Sequence, residues 1–597
     1  MSIPFGTFLF SRIHQLGIDN ILGCPGDFNM TLLDHIFNVP GLDWIGCCNE
    51  LNAAYAADGY GRTRGLPGVL VTTYGVGELS AINGVAGAFA EHVPLLHIVG
   101  TPARAEMDSK MWLHHTIPSD ADFESPDHHA YSRMSAPVRC CSAFLEKVET
   151  LADEVDRILT TIWKRSLPGY IFVPLDIVLA PVAATALDTP LVLQISNPDP
   201  ELDSDLANKI LDAIYASKKP CILADILARR HHAREQVMEL VSKTKFPSFA
   251  TDLAKGFVDE DSPYFGGLYN GHLSVSGVAE AVEGSDLILN IGPLITDSNT
   301  GGFTRHTTTE QLIMLHPAYV SIFGERHGGL HFIPVLDLVL QRLDVSKLPT
   351  ARTIESLKLG QPPLVFKSPA DISTAYFYSN VITKFLKPND VVFAESGTAQ
   401  YGINDASFPA GINFNTQLYF SSIGFALPGA LGACVAQREI DAHKDGPHSR
   451  IILFEGDGSS MMTIQELATM TRNQYTPTIF LLNNDGYTIE RAIHGPTAKY
   501  NDICPNWKYT ELLSTFGAAP ESYSSYSVTT REELESLLFN NKTFQEEENK
   551  KTRFIEVKLD KMDIPWRLSG QMAHMREHLK EWFYTYSKDR GEVPRYY

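Results

Sequence analysis

Short aliphatic runs, each ending in a turn signal and followed by a stretch of helical character, recur along the whole chain. "PGVLVTTYG", "VPLLHIVG" and "GYIFVPLD" punctuate the first 180 residues, "KPCILAD", "DLILNIGP" and "EQLIMLHP" the middle, and "NDVVFAESG", "RIILFEGDG", "TIFLLNNDG" and "RFIEVKLD" the last part. A strand buried on both faces is apolar at successive positions, not alternate ones. Such runs between helix-sized intervals predict parallel strands with crossover helices. Two stretches rich in proline and polar residues, Ala180 to Asp205 and Lys358 to Asp371, read as linkers. The expected fold class is therefore α/β, with three doubly wound parallel-sheet domains at 1–180, 200–347 and 371–575 and a C-terminal tail at 576–597.

Bulk properties narrow the function. The 597 residues carry 49 basic against 70 acidic side chains, a net charge of −21, and no basic stripe, which argues against a nucleic-acid partner. The eight cysteines form no CxxC pair, and a reduced, cytoplasmic protein fits them best. The opening "MSIPFGTFLFSRIHQLG" lacks a basic leader segment and reads as an amphipathic helix. No apolar run approaches the roughly 18 residues of a membrane span.

The chemistry starts at "LFEGDGSSMM". A glycine turn after an apolar strand lets backbone N–H groups approach a phosphate. Here Asp457 stands in the middle, and a carboxylate repels phosphate. After a helical stretch, a second strand ends at Asn483-Asn484 in "TIFLLNNDGYTIE". The two strands of one βαβ unit end at the same sheet edge, where α/β sheets bind ligands. Asp457 and Asn484 then meet, and a carboxylate beside a carboxamide oxygen suits a hard cation. Magnesium takes six oxygens at about 2.1 Å and bridges to phosphates. The acid holds the metal that holds the phosphate, and the carbonyl of Gly486 can serve as a third ligand.

GDGS followed after such a unit by NN resembles the thiamine-diphosphate motif. The resemblance implies that Asp457, Asn484 and the Gly486 carbonyl bind Mg2+, and that Gly456, Gly458, Ser459, Tyr487, Thr488 and Ile489 line the site of the thiamine diphosphate. Glu50, in "GCCNELNAAYAADGYGR", reads by itself either as a helix-dipole acid or as a catalytic one. The same segment resembles the family's, which implies that Glu50 hydrogen-bonds the aminopyrimidine and activates the cofactor. In "YFSSIGFALPGALGA", Ile423 stands where the family has a bulky apolar support beneath the cofactor. Ser421 departs there from the usual GSIG, and Thr398 in "ESGTAQYG" is expected to cap the other side.

Three further features resemble the 2-oxo acid decarboxylase branch, which includes pyruvate, indolepyruvate and phenylpyruvate decarboxylases. Read alone, Asp27 in "CPGDFNMTLLD" is a helix N-cap, His114-His115 in "LHHT" a polar loop, and Glu490 a surface acid. In family order they imply a proton relay of Asp27, His114, His115 and Glu490. His231-His232, by contrast, reads as a solvated charge cluster. The implied reaction is non-oxidative decarboxylation of a 2-oxo acid to an aldehyde and CO2. The alternatives are a thiamine-dependent carboligase or acyloin synthase and a non-catalytic thiamine-sensing protein. The family builds its site between subunits, so Glu50 and Asp457 of one site are expected on different chains of a homodimer at minimum, with a homotetramer as the fuller expectation. The substrate pocket is expected to include Ser298, Ser396, Ile489 and Ile493. Ser298 stands where yeast-type pyruvate decarboxylases carry a phenylalanine, which predicts room for aromatic or long-chain 2-oxo acids. The loop "TIPSDADFESPDHHAYSRM" is longer than the family pattern, and Cys221 is single where yeast-type enzymes have an adjacent pair.

Overall fold

The computed structural model describes residues 2–120, 123–363, 370–503 and 507–574. The expected end of the third domain at 575 and the tail at 576–597 lie outside the described residues. Three sheets organise the rest. The first contains β1 (Asn20–Gly23), β2 (Asp43–Gly46), β3 (Gly68–Thr73), β4 (Leu95–Thr101), β5 (Cys141–Phe144) and β6 (Gly169–Pro174), in the spatial order β2-β1-β3-β4-β6-β5. Every pairing in it is parallel. Its central strands β3, β4 and β6 are buried at every residue, the condition that their unbroken apolar runs anticipate.

The middle sheet holds β7 (Pro220–Ala224), β8 (Ser248–Ala250), β9 (Phe265–Leu268), β10 (Leu287–Ile291), β11 (Leu312–His316), β12 (Tyr319–Ile322) and β13 (Glu325–Gly328), ordered β9-β8-β7-β10-β11-β12-β13. It departs from an all-parallel sheet, because β11, β12 and β13 form an antiparallel meander. The cause is local. Only Pro317 and Ala318 separate β11 from β12, whereas a parallel return needs a crossover of a dozen or more residues.

The third sheet is parallel throughout: β14 (Val391–Ala394), β15 (Asn413–Asn415), β16 (Ile451–Gly456), β17 (Thr478–Asn483), β18 (Tyr523–Val528) and β19 (Thr552–Lys558), ordered β15-β14-β16-β17-β19-β18. The expected first linker is partly structured. Pro181–Ala183 pairs antiparallel with Ser2–Pro4, and the helix Pro200–Ala216 begins inside the expected linker range.

The first and third domains share one hydrophobic core, while the main middle-domain core is separate. The shared core is built on two helices, Glu50–Arg64 and Ala426–His443. Their backbones nearly touch: a Cβ on Gly59 would lie 2.1 Å from the Gly429 carbonyl oxygen, and one on Gly432 1.9 Å from that of Ala56. Only glycine permits that approach. Beside it the buried Arg62 guanidinium binds Asp58, Glu91 and the Thr416 carbonyl, the last two at 2.9 Å. A buried charge needs this full set of partners.

One expectation is corrected. His231 is buried, not solvated, and its Nδ1 lies 3.0 Å from His331 Nε2. His232 stacks on Trp163 with ring centroids 4.6 Å apart. Adjacent arginines and histidines look like a hydrated cluster in one dimension, but the chain after the helix Ile226–Arg230 turns His231 inward and leaves His232 exposed. Among the described residues no cysteine is in a disulfide, and no helix is long and apolar enough to cross a membrane.

Candidate active site

Strand β16 ends at Gly456 and the helix Asp457–Thr463 starts at once, while β17 ends at Asn483. The two strands are parallel neighbours with Gly456 opposite Leu482, so Asp457 and the segment after Asn483 leave the sheet at one edge. Asp457 is buried. Its Oδ1 accepts the Gly458 N–H and its Oδ2 the Gly486 N–H, both at 2.9 Å. Burial pushes its carboxyl up to about 6 against the pull of those two bonds.

The Asn484 carboxamide reaches Asp457 Oδ1 at 3.1 Å and the Gly486 carbonyl at 2.7 Å, and its nitrogen turned toward them satisfies both as a donor. A half-turn of the amide presents its oxygen to the same two acceptors, the orientation that a cation held by all three groups would require. The donor set, a carboxylate, an amide and a backbone carbonyl, is that of a hard cation.

Arg491, which the sequence reading did not single out, holds this loop. Its guanidinium donates to the carbonyls of Asn484 at 3.1 Å, Asp485 at 2.5 Å and Asn501 at 3.3 Å. Gly486 needs its positive φ of 122° there, and a Cβ would lie 2.3 Å from the Asn501 oxygen.

These groups open into a cavity of about 240 Å³ on the third domain. Ser396, Thr398, Ser421, Ile423, Gly456, Gly458, Ser459, Tyr487, Thr488, Ile489 and Glu490 all line it with Asp457, Asn484 and Gly486. Thr398 begins a short helix after Gly397, whose φ is 122°. Ser421 adopts a φ of 52° and donates to the Leu418 carbonyl at 2.7 Å, which swings Ile423 outward into the cavity. The Tyr487 ring packs on Gly458, where a Cβ would lie 2.8 Å from it. Ile493 is exposed and does not line the cavity.

Glu395 also lines the cavity and was not singled out in the sequence. Its carboxylate accepts the N–H groups of Ser396 and Ala426, each at 2.8 Å, and so ties the end of β14 to the loop after Ile423. Glu455 follows the paired residue on the neighbouring strand and accepts from Ser459 Oγ at 2.7 Å. Burial pushes Glu395 up to about 7, and burial with the neighbouring Glu395 charge pushes Glu455 well up. An acid at the end of each of two adjacent strands was the only signal available.

The remaining predicted residues lie on the first and middle domains. Asp27 Oδ2 and His114 Nε2 are in hydrogen-bond contact. Phe28 stacks on the His114 ring at 5.0 Å, and the rings of His114 and His115 are 4.5 Å apart. His115 sits at a φ of 68°, held by a hydrogen bond from Tyr131 Oη to its carbonyl at 2.6 Å. Asp27 is not a helix cap; Asn29 occupies that position before Met30–Leu33. Glu50 opens its helix behind the Asn49 cap, beside Gly77, and among the described residues its carboxylate accepts no hydrogen bond. Ser298 belongs to the middle domain, where its hydroxyl donates to Asp297 at 3.1 Å. No first- or middle-domain residue lines the third-domain cavity of the same chain. Within one chain the Asp27, His114 and His115 cluster and Glu50 thus lie outside the lining of the third-domain cavity.

Three family models match in order: the thiamine pyrophosphate enzyme N-terminal TPP binding domain over 4–125, the central domain over 207–343 and the C-terminal TPP binding domain over 396–557. A pyruvate decarboxylase of Kluyveromyces lactis is 41% identical, covering 95% of this chain and 98% of its own. Pyruvate decarboxylase isozyme 3 of Saccharomyces cerevisiae is 40% identical over 95% of this chain and 98% of its own. A transaminated amino acid decarboxylase of the same yeast is 39% identical, with 95% and 94% covered. The chain belongs to the thiamine pyrophosphate enzyme family, among the thiamine-diphosphate-dependent 2-oxo acid decarboxylases that include the fungal pyruvate decarboxylases.

Proposed function

We propose that the protein converts a 2-oxo acid to an aldehyde and CO2 in a site shared between two copies of the chain, with Mg2+ and thiamine diphosphate in the third-domain cavity. The observation that carries the reading is the convergence of the Asp457 carboxylate and the Gly486 carbonyl on the Asn484 side-chain amide, at 3.1 and 2.7 Å. When bound, thiamine diphosphate supplies the carbon nucleophile and the sink for the electrons of the breaking C–C bond. Asp457, Asn484 and Gly486 hold the magnesium, and the backbone around Gly456, Gly458 and Ser459 receives the diphosphate. Ile423 and Thr398 flank the cofactor from its two sides, with Tyr487 and Ile489 as further contacts.

Glu50 of the second copy holds the hydrogen bond at the pyrimidine ring, which explains why its carboxylate accepts no hydrogen bond among the described residues. Asp27, His114 and His115 of that copy carry the proton that the product carbon receives, with Glu490 as the facing acid. His114 Nε2, paired to Asp27, is the positioned donor. A homodimer or homotetramer follows from the same reading, since neither the first-domain group nor the third-domain cavity holds every residue of the site.

Ser298 is proposed to leave room for aromatic or long-chain substrates beside pyruvate, with Ser396 and Ile489 as further contacts. A single such contact shifts discrimination by only about 1–3 kcal/mol. The test is aldehyde release with Mg2+ and thiamine diphosphate, pyruvate against phenylpyruvate, compared as kcat/KM in wild type and Ser298→Phe. Aldehyde from either acid supports the function, and a shift toward pyruvate in the variant supports the pocket. Acyloin exceeding aldehyde from both acids would replace the reading with a carboligase, and cofactor binding without turnover would replace it with a sensor.

A further inference from the structure

One carboxylate oxygen of Asp27 and one ring nitrogen each of His114 and His115 lie within 4.8 Å of one another. Among the described residues no other three histidine, cysteine or acidic side chains converge in this way. The three come from separate segments. Asp27 lies in the turn that follows β1, and the histidines lie in the loop that follows the helix Arg104–Asp108. Asp27 Oδ2 and His114 Nε2 are already in contact.

The group is supported from behind. Phe28, Tyr74 and Tyr131 form a buried aromatic cluster, and Leu113 packs against it. Phe28 stacks on the His114 ring and meets the His115 ring edge-on at 6.2 Å. Tyr74 packs edge-on against Phe28 at 5.8 Å and Tyr131 at 5.2 Å. Thr116 Oγ1 donates to the Leu113 carbonyl at 2.6 Å and closes the turn that carries both histidines. Supports of this kind orient ligand side chains before an ion arrives. The donor atoms themselves stay open, since the side chains of His114 and Asp27 are 59% and 45% exposed.

Ring nitrogens that can pass a proton can also bind a metal, and neutral imidazole is the commonest metal ligand. Two imidazoles and a carboxylate make the three protein ligands of an open zinc site, with water in the fourth position. Bonds of about 2.0–2.1 Å place tetrahedral ligands about 3.4 Å apart. Rotation of the two exposed side chains brings the three donors to that spacing. The donor types also distinguish this place from the third-domain cavity. Magnesium takes oxygen ligands, whereas imidazole suits zinc, copper and nickel. One chain thus carries an all-oxygen set at Asp457 and a nitrogen-rich set at His114.

We propose that Asp27, His114 and His115 bind a divalent ion of the zinc class, with water as the fourth ligand, and that the bound ion inhibits the enzyme by occupying the ring nitrogens that would carry the proton. The binding stands on the convergence of the three donors; the inhibition rests on the proton relay proposed above.

Co2+ is the probe, because it takes zinc-type coordination and absorbs visible light far more strongly when four-coordinate than when six-coordinate. The holoenzyme, saturated with thiamine diphosphate and held in excess Mg2+, is titrated with CoCl2 and then with ZnCl2. One Co2+ per chain should give the four-coordinate spectrum, and Zn2+ should remove it. Aldehyde release should fall at least tenfold at zinc saturation and should not recover on adding more Mg2+. His114→Ala and His115→Ala should each lose the spectrum. Absence of a four-coordinate spectrum in the wild-type holoenzyme overturns the site. A spectrum kept in both variants overturns it too, and near-ultraviolet thiolate-to-metal absorption would then place the ion on cysteines. Undiminished aldehyde release at full zinc occupancy overturns the inhibition. A holoenzyme that releases no aldehyde fails the functional reading instead, and its Co2+ spectrum still decides the site.

Discussion

Asp457 Oδ2 accepts the backbone N–H of Gly486 at 2.9 Å, joining the start of one βα turn to the loop 29 residues later. The bond leaves Asp457 Oδ1 facing Asn484 and orders the loop whose carbonyl completes the oxygen cluster. Asp457→Ala removes a ligand and the loop's anchor together. Magnesium affinity should fall by more than the roughly 10–100-fold that loss of a ligand's supporting partner costs. Magnesium titration of the apoenzyme with thiamine diphosphate, followed by tryptophan fluorescence, measures it; unchanged affinity would remove Asp457 from the metal site.

The same carboxyl sets a pH dependence. Burial raises it to about 6, and a cation binds only the ionised form. Apparent magnesium affinity should be flat above that value and weaken as pH falls below it, approaching a tenfold loss per unit. Magnesium titrations between pH 7.5 and 5 check the sign, and affinity that rises on acidification would contradict it.

Glu50 and Asp457 are proposed to serve one site from different chains. Glu50→Gln should lower kcat by about 10²–10⁴ with cofactor binding retained. Mixing Glu50→Gln and Asp457→Ala chains under subunit exchange should restore activity that neither has alone, because a hybrid dimer regains one intact pair. Inactive hybrids, shown to form by mass spectrometry, would place both residues in the same chain's site.

Gly432 lies where a Cβ would come within 1.9 Å of the Ala56 carbonyl oxygen. Gly432→Val should push the two central helices apart and destabilise the protein by at least about 1–3 kcal/mol. Thermal unfolding reads this directly. Gly328, where an added Cβ has no heavy atom within 4 Å, is the control position, and Gly328→Ala should be near neutral.

The inward-facing histidines predict acid sensitivity. Burial lowers His92, His316 and His331 to about 4 each and takes His231 further down, with neighbouring histidines and arginines adding to the effect. In the unfolded chain each titrates near 6.5. The folded state thus binds fewer protons, so this contribution to stability is full above pH 6.5 and is lost as pH falls toward 4. The thermal midpoint should drop over that window, and less steeply in His331→Gln. An identical slope in the variant would show that His331 is not among the groups responsible.

Much of this molecule is legible from local pattern. Unbroken apolar runs mark strands that are buried on both faces. The GDGS and NN turns close one βαβ unit, whose handedness and length bring Asp457 and Asn484 to one edge with no further information. Glu50 at a helix start follows from its Asn49 cap. Such features depend on residues near in sequence, and the backbone's short menu of conformations translates them directly.

Other features depend on which surfaces meet, and pattern is silent about that. His231 reads as hydrated until the middle domain places His331 against it. Glu395 and Glu455 look unrelated until β14 and β16 pair and set their carboxylates side by side. Arg491 looks like a surface base until its guanidinium is found gathering three carbonyls. The glycines of the Glu50 helix suggest nothing more than weak helix propensity until Gly59 and Gly432 are seen to let two backbones touch. Long-range packing assigns those roles, because burial, charge proximity and backbone approach are properties of pairs that one-dimensional spacing does not contain.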